Sequence, residues 1–135
     1  ENVFLNGAVL GYSRSYIREY FKSIIDFAEL WDFVDVPIKN FSSGMKARLG
    51  FAIATTVEPD ILIVDEILSV GDAKFKQKCE QRMAEMKAKG VTMILVSHSM
   101  DQVLKTCNKA MWINKGNMMC IGDVKEVCAR YSAQT

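Results

Sequence analysis

The chain of 135 residues is 50% hydrophobic and 24% charged with 2 Pro and 8 Gly, the composition of one packed globular unit rather than a disordered or fibrous one. Its 17 Lys and Arg against 16 Asp and Glu leave a formal net charge of +1, too little to bind nucleic acid or an anionic membrane through bulk charge, so any phosphate recognition must be local. Cys79, Cys107, Cys120 and Cys128 lack CxxC spacing and His98 stands alone, which argues against a zinc site of the usual kind and reads as reduced, cytosolic thiols. No apolar run approaches the roughly 18 to 20 residues that cross a bilayer, and the start lacks signal-peptide character. The expectation is a soluble chain with no direct membrane insertion and no nucleic-acid partner. The first residues, Glu1-Asn2-Val3, without Met, fit an excised piece as well as a processed protein.

Residues 1–12 (ENVFLNGAVLGY) are apolar with Gly7 and Gly11, and no element is assigned to them. Ser13 stands at an N-cap position before Ile17, Tyr20, Phe21, Ile24, Ala28 and Trp31, whose spacing predicts a helix. Pro37 and Lys39-Asn40 break it ahead of a second helical stretch, Met45 to Thr56. Lys46 and Arg48 near that start oppose the helix dipole. Such a placement is tolerable on a solvated face, and it is also expected where an anion sits at the helix N-terminus. After the turn Glu58-Pro59-Asp60, the run Ile61-Leu62-Ile63-Val64 predicts a parallel strand covered on both faces. A charged amphipathic helix follows from about Ala73 to Lys89, with Phe75, Cys79, Met83 and Met86 inward and Gly90 ending it. Val91 to Val96 reads as a second buried strand. Ser99-Met100-Asp101-Gln102 and Asp123-Val124-Lys125-Glu126 resemble capping boxes for two short helices. Between them, Ala110 to Asn114 and Met118 to Ile121 flank Lys115-Gly116 as a hairpin. Strands alternating with helices imply an α/β layer, beside which the first 57 residues form a mostly helical lobe. Trp31, Trp112 and the methionines, Met118 and Met119 among them, read as packing residues, and Lys74 to Lys78 with Lys87 and Lys89 as a solvated helix face.

Three segments carry chemistry. Ile61 to Val64 delivers Asp65 and Glu66 to the carboxyl edge of a strand, where ligand sites of open α/β sheets lie. One carboxylate there suits Mg2+ and the other a water, and two solvated carboxylates closing a strand is the alternative. Ser42, Ser43 and Gly44 precede a helix, so their hydroxyls and free backbone N–H groups could bind phosphate, or Ser42 or Ser43 could simply cap the first turn. Ser97-His98-Ser99 ends the second buried strand, placing His98 on the same sheet edge as Asp65 and Glu66 if the strands are parallel. A solitary imidazole is either a phosphate-directed donor or a satisfied structural residue.

In order, FSSGM, ILIVDE, SVGD and SHS resemble the second half of an ATP-binding cassette (ABC) ATPase domain. FSSGM stands for that family's LSGGQ signature, ILIVDE for its Walker B strand and catalytic glutamate, Ser69-Val70-Gly71-Asp72 for its D-loop, and His98 for its switch histidine. The variant signature, the following Ala-Arg-Leu-Gly-Phe-Ala and the opening Glu-Asn-Val-Phe-Leu-Asn-Gly are similar to ATP-binding subunits of bacterial polysaccharide, O-antigen and teichoic acid exporters. The resemblance implies an α/β fold, the C-terminal part of a P-loop ATPase core at residues 58–135, with a mostly helical subdomain at residues 1–57 that docks on a transmembrane permease subunit. It implies ATP and Mg2+ as ligands. Asp65 would hold Mg2+ through water, Glu66 polarise the attacking water and His98 contact the γ-phosphate. Ser42, Ser43 and Gly44 would cap the γ-phosphate of ATP held by a second ATPase subunit, and Asp72 would lie at the seam of that homodimer. The implied location is the cytoplasmic face of the bacterial membrane, peripheral through the permease.

Ser43 and Met45 replace the first Gly and the Gln of the common signature, and no GxxxxGK[ST] loop occurs. The chain is therefore expected to be a fragment, inactive alone, with unpaired sheet edges and exposed apolar surface. Two other readings remain, a non-catalytic interaction module docking a membrane partner and a soluble ABC protein of translation or DNA repair.

Overall fold

The computed structural model describes residues 1–56, 59–65 and 72–134, so Glu66 and the Ser69-Val70-Gly71 stretch lie outside the described residues. Contacts divide the chain into two units. The first holds α1 (Asn2–Val9), α2 (Arg14–Ala28), α3 (Ser43–Thr56) and α4 (Ala73–Ala88). The second holds α5 (Met100–Thr106), β3 (Lys109–Asn114), β4 (Asn117–Asp123) and α6 (Val124–Ser132). Strands β1 (Ile61–Asp65) and β2 (Thr92–Val96) give their first two residues to the first unit and the rest to the second.

In the first unit, the apolar opening stretch forms α1 because tertiary contact supplies what local periodicity lacks. Gly7 is buried, and a Cβ there would fall inside the side chain of Ile17 on α2, itself 1% exposed. The missing methyl thus sets how closely these helices pack. Ser13 starts α2 by accepting the Tyr16 N–H at 3.2 Å, and Glu29, with φ 57°, ends it in the left-handed region. Ile17, Ile24, Ile25, Phe27 and Ala28 bury the inner face of α2, while α3 adds Leu49, Phe51, Ala52 and Ile53. Trp31, expected in the core or at a lobe interface, is half exposed in this unit. Its indole N–H donates to Asp26 at 2.6 Å, because an aromatic with a polar tip settles where that donor finds a partner.

The four inward residues of α4, Phe75, Cys79, Met83 and Met86, are all buried, and Gly90 leaves the helix with φ 90°. Burial pushes the Cys79 thiol up to about 11, so it packs as a small hydrophobe rather than reacting as a thiolate. Phe27 meets Phe51 at 5.9 Å and Phe75 at 5.8 Å between ring centroids. Two cations of α4 reach other helix ends: Lys78 donates to the Phe27 carbonyl at 2.8 Å and Arg82 to the Thr55 carbonyl at 3.4 Å. These carbonyls lie in the last turns of α2 and α3, where partners are missing and positive charge is favourable. Lys78 therefore departs from the solvated face expected of it.

Strands β1 and β2 are hydrogen-bonded neighbours. Thr92, first in β2, donates its N–H at 3.2 Å to the carbonyl of Asp60, which precedes β1, so both strands start together and run parallel. The burial expected on both faces is found on one only. Leu62 and Val64 are buried, whereas Ile61, Ile63, Ile94 and Val96 are at least half exposed, because nothing among the described residues covers that face.

The second unit is built on a hairpin. β3 and β4 pair antiparallel from Lys109↔Asp123 to Asn114↔Asn117, with a register shift between Trp112 and Ile113. Lys115 and Gly116 both have positive φ, 47° and 80°, which is the type I′ turn matched to strand twist. Asp123 starts α6 by accepting the N–H groups of Lys125 and Glu126. Val124, Val127 and Cys128 are its buried face, and Trp112 packs edge-on against Tyr131 at 5.7 Å. Met118 and Met119 lie exposed on β4, contrary to their expected packing role, since the strand's outward face has no described neighbour.

Candidate functional site

The serine turn belongs to the first unit. Ser42 is the N-cap of α3: its Oγ accepts the Met45 N–H at 3.2 Å and its carbonyl accepts the Lys46 N–H at 3.0 Å. Accepting with its oxygen leaves the Ser42 hydroxyl hydrogen available to donate outward. Ser43 is exposed beside it, and the first-turn N–H groups of Ser43 and Gly44 precede any intrahelical partner. Around Gly44 there is room. A Cβ added there would meet only the Ser42 Oγ, at 3.8 Å, an ordinary contact. The fold therefore does not require glycine at this position, while the close approach of an outside anion would benefit from it.

Arg48, one turn further along α3, does not point its charge at an anion by this turn. Its guanidinium pairs with Asp72 and with Glu29, the latter at 3.4 Å, and lies 4.7 Å from the centre of the Phe75 ring. Asp72 is the N-cap of α4, its Oδ1 accepting the Phe75 N–H at 2.8 Å while Oδ2 accepts from Arg48. That N–H is the largest cause holding the Asp72 carboxyl below the usual carboxylate range; desolvation opposes it and Arg48 adds to it. Glu29 also takes Lys78 at 3.2 Å. Four charged side chains from the end of α2, from α3 and from α4 thus form one network. Sequence reading missed it because partners 19, 24 and 49 residues apart leave no local signal.

Asp65 and His98 belong to the second unit. Asp65 ends β1 and His98 lies two residues beyond Val96, the last residue of β2, both exposed. With the strands parallel, both ends lie at one sheet edge, as the shared-edge expectation requires. Ser97 fixes the backbone beside His98: its hydroxyl donates to the Gln102 side chain at 2.8 Å and accepts the Ser99 N–H at 3.0 Å. Gln102 therefore serves Ser97 instead of returning to the Ser99 N–H in a closed capping box, although Ser99 Oγ still accepts the Gln102 N–H at 3.4 Å. Glu66 lies outside the described residues. Among those described, no three His, Cys, Asp or Glu side chains group as metal ligands. A hard cation such as Mg2+ fits Asp65 on chemistry, since one or two carboxylates suffice where waters and phosphate oxygens complete the shell.

No family model matches the chain. Solved structures define the fold. An ATP-binding subunit of an ABC transporter superposes with a TM-score of 0.79 at 22% identity, over 95% of this chain and 53% of that one. A dimeric ATP-binding cassette in a post-hydrolysis state, bound to ADP and Pi, superposes with a TM-score of 0.68 at 20% identity, over 84% and 49%. The fold is that of part of an α/β ABC-type ATPase. Curated relatives narrow this. The teichoic acids export ATP-binding protein TagH of Bacillus cereus is 46% identical over 133 residues, 98% of this chain and 24% of that protein. The O-antigen export system ATP-binding protein RfbB of Klebsiella pneumoniae is 44% identical over 131 residues, 97% of this chain and 53% of that protein. The chain is thus homologous to ATP-binding proteins of ABC export systems, and it spans about a quarter to a half of the length of these relatives.

Proposed function

We propose that this chain is part of the ATP-binding, ATP-hydrolysing subunit of a bacterial ABC exporter for polysaccharide or polyol phosphate. On this reading residues 1–57 are mainly the helical subdomain that docks a transmembrane permease, and residues 58–135 the C-terminal part of the ATPase core. The subunit works as a homodimer at the cytoplasmic face of the membrane, held there by the permease. What supports the reading is homology over nearly the whole chain to export ATP-binding proteins, together with parallel strands that end beside Asp65 and His98.

Each residue has a task that its chemistry allows. Asp65 holds Mg2+ through water, and His98 donates a hydrogen bond to a γ-phosphate oxygen. Glu66 orients the attacking water and takes its proton. Ser42, Ser43 and the Gly44 N–H donate to the γ-phosphate of ATP held on the partner subunit, adding charge stabilisation from the helix N-terminus. Mg2+, when bound, neutralises charge developing on the phosphate oxygens. Asp72, engaged at both oxygens, stands at the seam as a fixed element.

The test is made on the full-length gene product. Glu66→Gln is expected to keep ATP binding and lower hydrolysis by about 10²- to 10⁴-fold, the range for losing a general base; unchanged hydrolysis would refute the assignment. The 135-residue chain alone is expected to show no turnover, because a loop of the GxxxxGK[ST] type is needed to cradle the β- and γ-phosphates. A gene encoding no such loop before Glu1 would favour the non-catalytic module instead.

A further inference from the structure

We infer that Arg48 is a positioning residue for the serine turn, locking the start of α3 to the start of α4 through Asp72, so that the donors of Ser42, Ser43 and Gly44 are presented as one rigid unit. The inference rests on the ATPase reading above and assigns a role that the motif resemblance does not give, since that resemblance put Asp72 itself at the seam.

The geometry carries it. Asp72 spends Oδ1 on the Phe75 N–H and Oδ2 on Arg48, so its carboxylate is committed within its own unit. Arg48 is only 19% exposed and is held from three sides, by Asp72, by Glu29 at the end of α2 and by the face of Phe75. A planar guanidinium, with five donors in a fixed fork, can bridge two carboxylates while stacking on an aromatic face, and so holds a defined geometry. Arg48 lies six residues beyond the Ser42 cap on the same helix, and both helix starts it connects are capped by their own side chains, Ser42 for α3 and Asp72 for α4. Since electrostatic stabilisation of a transferring phosphoryl group depends on donors already fixed in place, loosening this tie costs turnover without removing a ligand contact.

Steady-state ATP hydrolysis by the full-length gene product tests the inference with Arg48→Ala, Asp72→Asn and the double variant. Asn preserves an N-cap for α4 while removing the charge. Each single change is expected to lower kcat about fivefold with KM for ATP unchanged, and the double variant to lose no more than either single, because both break one tie. The loss is expected to persist far below the melting midpoints of the variants, where a purely stabilising role would show none. Multiplying losses in the double variant, a change confined to KM, or recovery of kcat on cooling overturns the positioning role. Glu66→Gln in parallel separates the two claims: if it abolishes turnover while Arg48→Ala keeps wild-type kcat, only the positioning role fails, and if it leaves turnover intact, both fail.

Discussion

Gly44→Ala separates what the fold requires of the serine turn from what the proposed chemistry requires. Inside the chain the added methyl meets a single atom, the Ser42 Oγ at 3.8 Å, and Gly44 already has helical backbone without positive φ. Replacing glycine by alanine in a helix gains up to about 1 kcal/mol, and less in the first turn, from backbone entropy. The expected change is therefore a gain of roughly 0.5 kcal/mol, a rise in Tm of about 1 to 3 °C for a domain of this size. On the proposed reading, the same methyl would stand where the γ-phosphate of the partner subunit's ATP approaches the Gly44 N–H. Losing one donor aimed at developing charge costs about 10²- to 10³-fold in kcat. Circular dichroism melting of the 135-residue chain and ATP hydrolysis by the full-length product give the two readings. A Tm lowered by several degrees would refute the packing argument, and undiminished hydrolysis would refute the anion-approach argument.

Gly7→Ala is expected to behave oppositely. Its methyl collides with the fully buried Ile17, so stability should fall by about 1 to 3 kcal/mol, offset by at most about 1 kcal/mol of helix propensity, and Gly7→Ala with Ile17→Val should recover part of the loss in urea unfolding. A stable Gly7→Ala single variant would contradict the close approach of α1 and α2. For Asp72 the sign follows from a folded-state pKa that is lowered: its charge stabilises the fold above the unfolded carboxylate value near 4, and the contribution is lost as pH falls through the folded value. The urea midpoint of the parent chain should therefore exceed that of Asp72→Asn at pH 7 and converge with it below about pH 4; a gap independent of pH would contradict this.

Features governed by neighbours within a few residues were legible in the sequence. The caps at Ser13, Ser99 and Asp123, the inward stripe of Phe75, Cys79, Met83 and Met86, and the Lys115-Gly116 turn all depend on contacts or backbone preferences local to the element. The helix α1 was not legible, because its packing turns on Gly7 meeting Ile17 and no periodicity within residues 1–12 encodes that contact. The apolar runs of β1 and β2 reported which residues can be covered, not which are covered here, hence the exposed Ile61, Ile63, Ile94 and Val96. Motif order gave only the positions of Asp65, His98 and the serine turn along the chain, and the parallel pairing of β1 and β2 is what brings Asp65 and His98 to one sheet edge. The engagement of Asp72 with Arg48, and of Lys78 with the end of α2, depends on tertiary placement and could not be read from spacing.

Lys78 and Arg82 sit one turn apart on α4 and end on carbonyls of two different helices. Fraying the last turn of α2 or of α3 strips a cation contact from α4, which favours opening of the two ends together with α4. In a hydrogen–deuterium exchange experiment, amides near Phe27 and Thr55 should share one protection factor with the middle of α4, and a motion that lifts α4 would release both ends in the same event.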